Sequence, residues 1–350
     1  MALEKTDIEN FVELAKTNLI IDVRSPGEYK HAHFPGAYNL ALFTDEERKI
    51  VGTIYKQQGR EQAIKTGLEY FGVKMRKMVE EVENIVHKHS FAVVLVHCWR
   101  GGMRSEAVAW LLDMYGFKVC LLKGGYKKFR QYVLQTFTLP FKFQLLSGYT
   151  GSGKTALLRH LVEHGKPAID LEAIANHKGS AFGAIDQPFQ PSQEMFENIL
   201  ALELRTNITN NIWIEDESRR IGAVVIPVKI WEQMQQSPVY LLEIPFESRL
   251  LKIIEEYGRL EKEKLTDATR RIQKRLGGHE TKIVIQYIEE NNLLEGFRIL
   301  LKYYDKCYQK CLNNRCRINP ASNVVICKAV NEKDIILSMQ TLTRKLIMYK

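Results

Sequence analysis

Gly148-Tyr149-Thr150-Gly151-Ser152-Gly153-Lys154-Thr155 matches G-x-x-x-x-G-K-[ST] without a mismatch. It follows the apolar stretch Phe141–Leu146, which reads as a strand. It opens a segment with Leu157, Leu158 and Leu161 on one helical face. Strand, glycine-rich loop and helix in that order wrap backbone N–H groups around phosphate oxygens at the positive end of a helix dipole. Gly148, Thr150, Gly151, Ser152, Gly153, Lys154 and Thr155 are therefore candidate diphosphate-binding residues, with Lys154 offsetting the outer charge and Thr155 in reach of Mg²⁺. The motif specifies a polyphosphate or pyrophosphate group and leaves open what that group is attached to. It also demands an α/β fold in which the loop leaves the end of a parallel strand.

A carboxylate at the end of a second strand would complete a cation site. Further strands are expected at Pro167–Leu171, Ile212–Glu215 and Val239–Ile244, with mostly helical, charged sequence from about Glu247 onward. Glu215 and Asp216 lie at the end of one such strand, and Asp170 competes from another. For each, a helix-capping or solvated role explains the residue as well as metal binding does. His177 in Asn176-His177-Lys178-Gly179 is a candidate acid or base, or a hydrogen-bonded loop residue.

A second strand–loop–helix lies upstream. Phe91–His97 reads as a buried strand, and it runs into Cys98-Trp99-Arg100-Gly101-Gly102-Met103-Arg104-Ser105. Ser105–Tyr115 then reads as a helix with Ala107, Trp110, Leu111 and Met114 at helical spacing. Two glycines let the backbone curl around an anion. The same N–H groups, with Arg100 or Arg104, would favour a thiolate at Cys98. Cys98, Arg100 and Arg104 are the candidate catalytic residues, and Trp99, Gly101, Gly102, Met103 and Ser105 the candidate anion loop. Trp99 suits either stacking on a base or packing beneath the loop.

The 350 residues are 45% hydrophobic, enough for a globular chain of about two domains. Pro140 and the onset of a new strand place the boundary near residue 138, giving domains 1–138 and 139–350. Lys and Arg outnumber Asp and Glu by 50 to 41, which permits an RNA partner without requiring one. No apolar run reaches the ~18 residues of a membrane span. The first residues lack the apolar core of a signal peptide, so a cytoplasmic protein with reduced thiols and no membrane partner is expected.

Ile21-Asp22-Val23-Arg24-Ser25-Pro26-Gly27-Glu28-Tyr29, His33-Phe34-Pro35-Gly36-Ala37, the cysteine loop and Lys123-Gly124-Gly125-Tyr126 together resemble the rhodanese-like fold over roughly residues 8–135. Ala32 stands where that pattern has glycine. The spacing from Cys98 to Arg104 also resembles cell-cycle dual-specificity phosphatases, whose loop takes phosphate. The order of segments narrows the resemblance. Val51-Gly52-Thr53-Ile54-Tyr55-Lys56-Gln57-Gln58-Gly59, the cysteine loop, the phosphate loop, Asp170-Leu171-Glu172, Asn176–Gly183 and Glu215–Gly222 resemble the tRNA 2-selenouridine synthase family over most of residues 10–230.

That resemblance implies a rhodanese-like parallel-sheet domain followed by a P-loop NTPase-like α/β domain with a helical C-terminal part. It implies an enzyme that acts on 2-thiouridine at position 34 of tRNA. Geranyl diphosphate first S-geranylates the base, and selenium from selenophosphate then replaces the geranylthio group. No tightly bound cofactor is expected beyond a candidate Mg²⁺, and no protein partner can be inferred. A rhodanese-type sulfurtransferase, or a phosphatase-like module fused to a nucleotide-binding regulator, are the rival readings. Arg270, Arg271, Lys274 and Arg275 form a basic cluster on an expected helix, and with Arg249 they would follow a tRNA backbone, serve as a solvated face or close as a lid over a pyrophosphate. Cys307, Cys311, Cys316 and Cys327 lack zinc-ligand spacing and read as buried thiols, so no structural metal is expected.

Overall fold

The structure, a computed structural model, describes residues 4–316 and 323–326. Two compact units are formed, Met1–Thr136 with Glu197–Ala201, and Phe137–Phe196 with Leu202–Lys350.

The first part of the chain carries β1 (Glu4–Thr6), α1 (Ile8–Ala15), β2 (Leu19–Asp22), α2 (Pro26–His31), β3 (Tyr38–Asn39), α3 (Asp45–Gln57), α4 (Arg60–Gly72), α5 (Met75–His89), β4 (Val94–His97), α6 (Met103–Tyr115), β5 (Val119–Leu122) and α7 (Gly125–Thr136). The strands pair in parallel in the order β1-β5-β4-β2-β3. Every residue of β2, β4 and β5 is buried, as short apolar runs in a parallel sheet must be. β4 starts at Val94, three residues later than the run from Phe91 suggests. The Val93 N–H is taken by the Asn18 side chain at 3.0 Å and does not enter the ladder.

Helix α6 turns a different face inward from the one its large side chains suggest. Ser105, Val108, Ala109, Leu111 and Leu112 are buried, whereas Trp110 and Met114 are exposed. Ser105 and Ala109 are small enough to bring the helix close to the sheet, and Ser105 also reaches Cys98. The helix ends at Gly116, whose φ of +116° suits the left-handed cap.

The rest of the chain carries β6 (Lys142–Gly148), α8 (Lys154–Glu163), β7 (Ala168–Ile169), α9 (Leu171–Ala175), α10 (Gln193–Thr206), β8 (Asn211–Glu215), β9 (Arg220–Ile221), β10 (Val224–Val225), α11 (Val228–Gln235), β11 (Val239–Glu243), α12 (Phe246–Tyr257), α13 (Lys262–Arg271), α14 (Gln273–Leu276), α15 (Gly278–Glu289), α16 (Leu293–Cys316) and β12 (Asn323–Ile326). A parallel sheet runs β12-β11-β6-β8-β7, and β9 and β10 form a small antiparallel pair. Strand β7 is shorter than Pro167–Leu171 because the Asp170 carboxylate accepts the Ala173 N–H at 2.7 Å and starts α9. Strand order reverses at β6, so the loop after β6 opens into the crevice where α/β sheets bind ligands.

Leu157 and Leu158 of α8 pack on Leu146 and Leu242 of the sheet, with Leu161 at the margin. The mostly helical region has a core of its own, which includes Leu250, Leu265, Val284, Phe297 and Leu301, together with Phe182. It also returns to the sheet, because β12 pairs with β11 from Tyr240↔Asn323 to Glu243↔Ile326. The charged helical pattern of the sequence gives no sign of that strand. Among the described residues no helix is long and apolar enough to cross a membrane.

The inward face of α6 sets a contrast in stability. Leu112→Ala should cost about 2–5 kcal/mol, and Trp110→Ala about 0.5 kcal/mol or less, in urea unfolding. The reverse ranking would mean that Trp110 lies in the core.

Candidate functional site

In the first unit, parallel pairing sets Asp22 at the end of β2 beside His97 at the end of β4. Cys98 follows and is 3% exposed. Its sulfur accepts a hydrogen bond from the Ser105 hydroxyl at 3.2 Å and lies 3.9 Å from the Gly102 carbonyl. The loop is held from the side by the start of α7. The Tyr126 N–H donates to the Cys98 carbonyl at 2.8 Å, and the Lys127 N–H to the Trp99 carbonyl at 2.9 Å. Gly125 makes this possible. Its φ is +59°, and a Cβ there would lie 2.4 Å from the Cys98 carbonyl oxygen and 2.5 Å from the Gly101 nitrogen.

Trp99, Arg100 and Met103 are exposed around this loop, and Gly101 and Gly102 are half-buried. The Trp99 ring centre is 5.7 Å from that of Tyr126. The two arginines differ. Arg100 makes no ion pair among the described residues, whereas Arg104 donates to Glu28 at 2.9 Å. The same Glu28 oxygen accepts from Arg48 at 2.9 Å and from the Ser25 N–H at 3.2 Å. Burial alone would raise the Glu28 pKa, but the Arg104 charge and hydrogen bond, with Ser25 and Arg48, bring it below the usual carboxylate range.

Below the loop lies a buried charged layer that motif spacing alone does not reveal. Arg24 is 2% exposed, with Nε and NH2 on the Asp22 carboxylate at 2.9 and 2.6 Å. NH2 also donates to the Ala32 carbonyl at 2.8 Å, and the guanidinium stacks 3.8 Å from the Tyr126 ring centre. His97 is fully buried, with Nδ1 3.9 Å from Asp22. Burial lowers the His97 pKa. Asp22 is pushed up by burial, but His97 and Arg24 outweigh that and leave its carboxyl low.

In the second unit, Lys154 donates to the Gly148 carbonyl at 2.8 Å. The Ser152 hydroxyl is buried and has no hydrogen-bond partner among the described residues. Register places Glu215 beside Leu146, two residues before Gly148. The Thr155 hydroxyl is 3.4 Å from both Glu215 and Glu172, and Glu215 also accepts the Glu172 N–H at 3.2 Å.

Glu172 and Glu217 are the members of this group that sequence reasoning missed. Burial raises Glu172 to about 8, helped by the charge of Glu217. Burial raises Glu215 well above the usual range, with Glu172 adding to it, and burial also raises Glu217 and Asp170. The available signal was the spacing of Asp170-Leu171-Glu172 and Glu215-Asp216-Glu217, two short acidic runs at strand ends. Asp216 accepts from the Ser147 hydroxyl at 2.6 Å.

The remaining candidates lie elsewhere. His177 packs so close to Gly222 that a Cβ there would be 2.7 Å from the ring, and burial followed by the Arg271 charge lowers its pKa. Arg270, Arg271, Lys274 and Arg275 are exposed, but they do not share one continuous helix. α13 stops when the Ile272 N–H bonds back to Thr269, and α14 begins at Gln273. Arg270 pairs with Asp267 at 3.2 Å. Arg249 is no RNA-facing side chain, being 4% exposed and bonded to Asp305. Cys307 is exposed and not a core thiol, while the side chains of Cys311, Cys316 and Cys327 fall outside the described residues. Among the described residues no three His, Cys, Asp or Glu side chains form a metal cage.

Residues 7–132 match the rhodanese-like domain family, and residues 141–320 match the family described as the tRNA 2-selenouridine synthase AAA domain. The chain is 34% identical to a tRNA 2-selenouridine synthase of Nitrosomonas europaea, across 86% of this chain and 90% of the relative. It is 37% identical to that of Hydrogenovibrio crunogenus, across 92% and 97%.

The buried carboxyls carry a pH signature. Glu172 stays protonated in the folded protein up to about pH 8, whereas the unfolded chain ionises it near pH 4.5. The folded state therefore loses stability as pH rises through that window. Glu172→Gln should match the wild type at pH 4.5 and exceed it at pH 8 by ~1–3 kcal/mol in chemical unfolding. Parallel pH profiles for the two proteins would refute the assignment.

Proposed function

The chain belongs to the tRNA 2-selenouridine synthase family, and from that premise we propose that it converts 2-thiouridine at wobble position 34 of tRNA to 2-selenouridine in two steps. The base sulfur first attacks the allylic carbon of geranyl diphosphate, and the carbon–oxygen bond to diphosphate breaks. Selenium from selenophosphate then replaces the geranylthio group. The observation that carries this reading is the presence of two anion loops in one chain, one beside a cysteine and one beside a lysine and a threonine.

The phosphate loop suits the leaving diphosphate. Lys154, now on the Gly148 carbonyl, is free to move to a phosphate oxygen and offset the developing charge. The unpartnered Ser152 hydroxyl lies in the same loop and supplies a further donor. Thr155, Glu172 and Glu215 would hold Mg²⁺, since one hydroxyl and two carboxylates fit a cation that keeps water and phosphate oxygens as its other ligands. Bound there, the ion would supply charge neutralisation at the diphosphate. The cysteine loop suits selenophosphate, a tetrahedral anion, with Arg100 as its exposed cation and Cys98 as the nucleophile: its thiolate bonds to phosphorus as the phosphorus–selenium bond breaks, and selenide leaves to displace geranylthiolate from the base. Exposed Arg270, Arg271, Lys274 and Arg275 supply phosphate contacts for tRNA.

Nucleoside mass spectrometry of tRNA tests the division of labour. Cys98→Ala should abolish selenium incorporation and leave S-geranylation largely intact. Lys154→Ala should reduce geranylation by roughly 100-fold, the scale of losing one electrostatic stabiliser of a transition state. Equal loss of both products in both variants would mean a single inseparable site.

Salt dependence tests the basic cluster. Neutralising Arg270, Arg271, Lys274 or Arg275 should reduce the log–log slope of tRNA binding by ~0.7–0.9 for each phosphate that the side chain holds. An unchanged slope would return the cluster to a solvated surface.

A further inference from the structure

Arg249, near the start of α12, has a set of partners that none of the roles above uses. Its two terminal nitrogens donate to both carboxylate oxygens of Asp305 on α16, at 2.8 and 2.7 Å. The nitrogen at 2.8 Å also donates to the Thr150 carbonyl at 3.1 Å, and Nε donates to the Ile244 carbonyl at 3.2 Å. The guanidinium lies 5.0 Å from the centre of the Tyr149 ring. Three residues along α16, on the same helical face, the Tyr308 hydroxyl accepts the Gly148 N–H at 2.8 Å and bonds to the Ser147 hydroxyl. The Tyr149 hydroxyl donates to Gln309. The entry to the phosphate loop, residues 147–150, is thus gripped through backbone and side chains by α12 and α16.

One peptide plane takes the main effect. In a trans peptide the carbonyl of one residue and the N–H of the next point in opposite directions. Fixing the Thr150 carbonyl on Arg249 therefore aims the Gly151 N–H away from that guanidinium. Gly151 is pressed against α12 as well: a Cβ there would lie 3.0 Å from the Arg249 carbonyl oxygen and from the Ile253 side chain. The plane has little room to rotate while the ion pair stands. An ion pair this buried gains little as a mere helix-to-helix tie, because desolvation offsets the attraction. Of its two further hydrogen bonds, one goes to the Ile244 carbonyl beside its own helix and the other to the loop backbone.

We propose that Arg249 and Asp305 are positioning residues for the phosphate loop: their ion pair presets the loop amides to receive a diphosphate group. The proposal rests on the reading of residues 148–155 as a diphosphate site. It makes α16, which contains no part of the motif, a working part of that site.

Two variants of the full chain test it. Arg249→Lys keeps the charge but loses the fork that reaches Asp305 and Thr150 together. Asp305→Asn keeps the shape and removes the charge, and it serves if the first variant does not fold. Inorganic pyrophosphate binding is measured by calorimetry, and amide hydrogen exchange is measured on the unliganded protein. Each variant should weaken pyrophosphate binding by about tenfold and speed exchange across residues 148–155 to a similar degree, with strand β8 unchanged. The double variant should bind no more weakly than the worse single one, as coupled partners do.

Wild-type-like affinity in a folded variant overturns the proposal, whether or not exchange changes. So does faster exchange spread evenly over the second unit, which is what a purely structural tie would give. If the wild type itself binds no pyrophosphate, the diphosphate reading falls. Exchange confined to the loop would then still support the brace, and unchanged exchange would overturn it too.

Discussion

A loop that binds an anion with its own amides cannot use those amides to hold itself together. Much of its shape must be imposed by groups outside the ring of N–H donors, and both glycine-rich loops of this protein have such outside supports. At Cys98 the outside support is the start of α7, where Tyr126 and Lys127 hold the outward-facing carbonyls of Cys98 and Trp99. At Gly148 it is Arg249 and Tyr308, which hold the Thr150 carbonyl and the Gly148 N–H. In each case a glycine sits where a side chain would collide with the support, Gly125 at the cysteine loop and Gly151 at the phosphate loop.

Each unit also holds a buried ion pair near its loop, which has a cost. Arg24 with Asp22, and Arg249 with Asp305, have lost most of their water, and Coulomb attraction alone does not reliably offset that. What both pairs share is a third partner on the backbone, the Ala32 carbonyl for Arg24 and the Thr150 carbonyl for Arg249. A guanidinium has five donors in a fixed fork, so it can satisfy a carboxylate and a carbonyl together. A lysine ammonium lacks the two parallel N–H groups that meet both carboxylate oxygens at once. The acidic group at Thr155 is the opposite case, carboxyls crowded together and kept partly protonated by burial.

The two loops were legible in the sequence because each is local. Strand, loop and helix are contiguous, and glycine positions with the cysteine, lysine and threonine mark the chemistry within eight residues. The parallel sheets followed from alternating strands and helices. What failed was whatever depends on distant residues. Glu172 and Glu217 converge only because β7 and β8 end side by side. Arg249 looks like a surface cation until Asp305, 56 residues away, is placed next to it. On α6, size misled: Trp110 and Met114 are the larger apolar side chains, but small Ser105 and Ala109 face the sheet because close approach there outweighs bulk. β12 was hidden because a short strand after a long helix leaves no periodicity to read.

The placement of Asp305, Tyr308 and β12 bears on how the protein is made. The glycine-rich loop leaves the ribosome more than 150 residues before Asp305 does. At about 5–20 residues per second, that interval lasts roughly 8–30 s. Throughout it β6 and its loop exist without the helix that grips them, and β11 waits for its outer neighbour. A nascent chain therefore carries the glycine-rich motif well before α16 is there to contact it. A chain cut before α16 would keep the motif and lose the contacts that Asp305 and Tyr308 make to Arg249 and to Gly148.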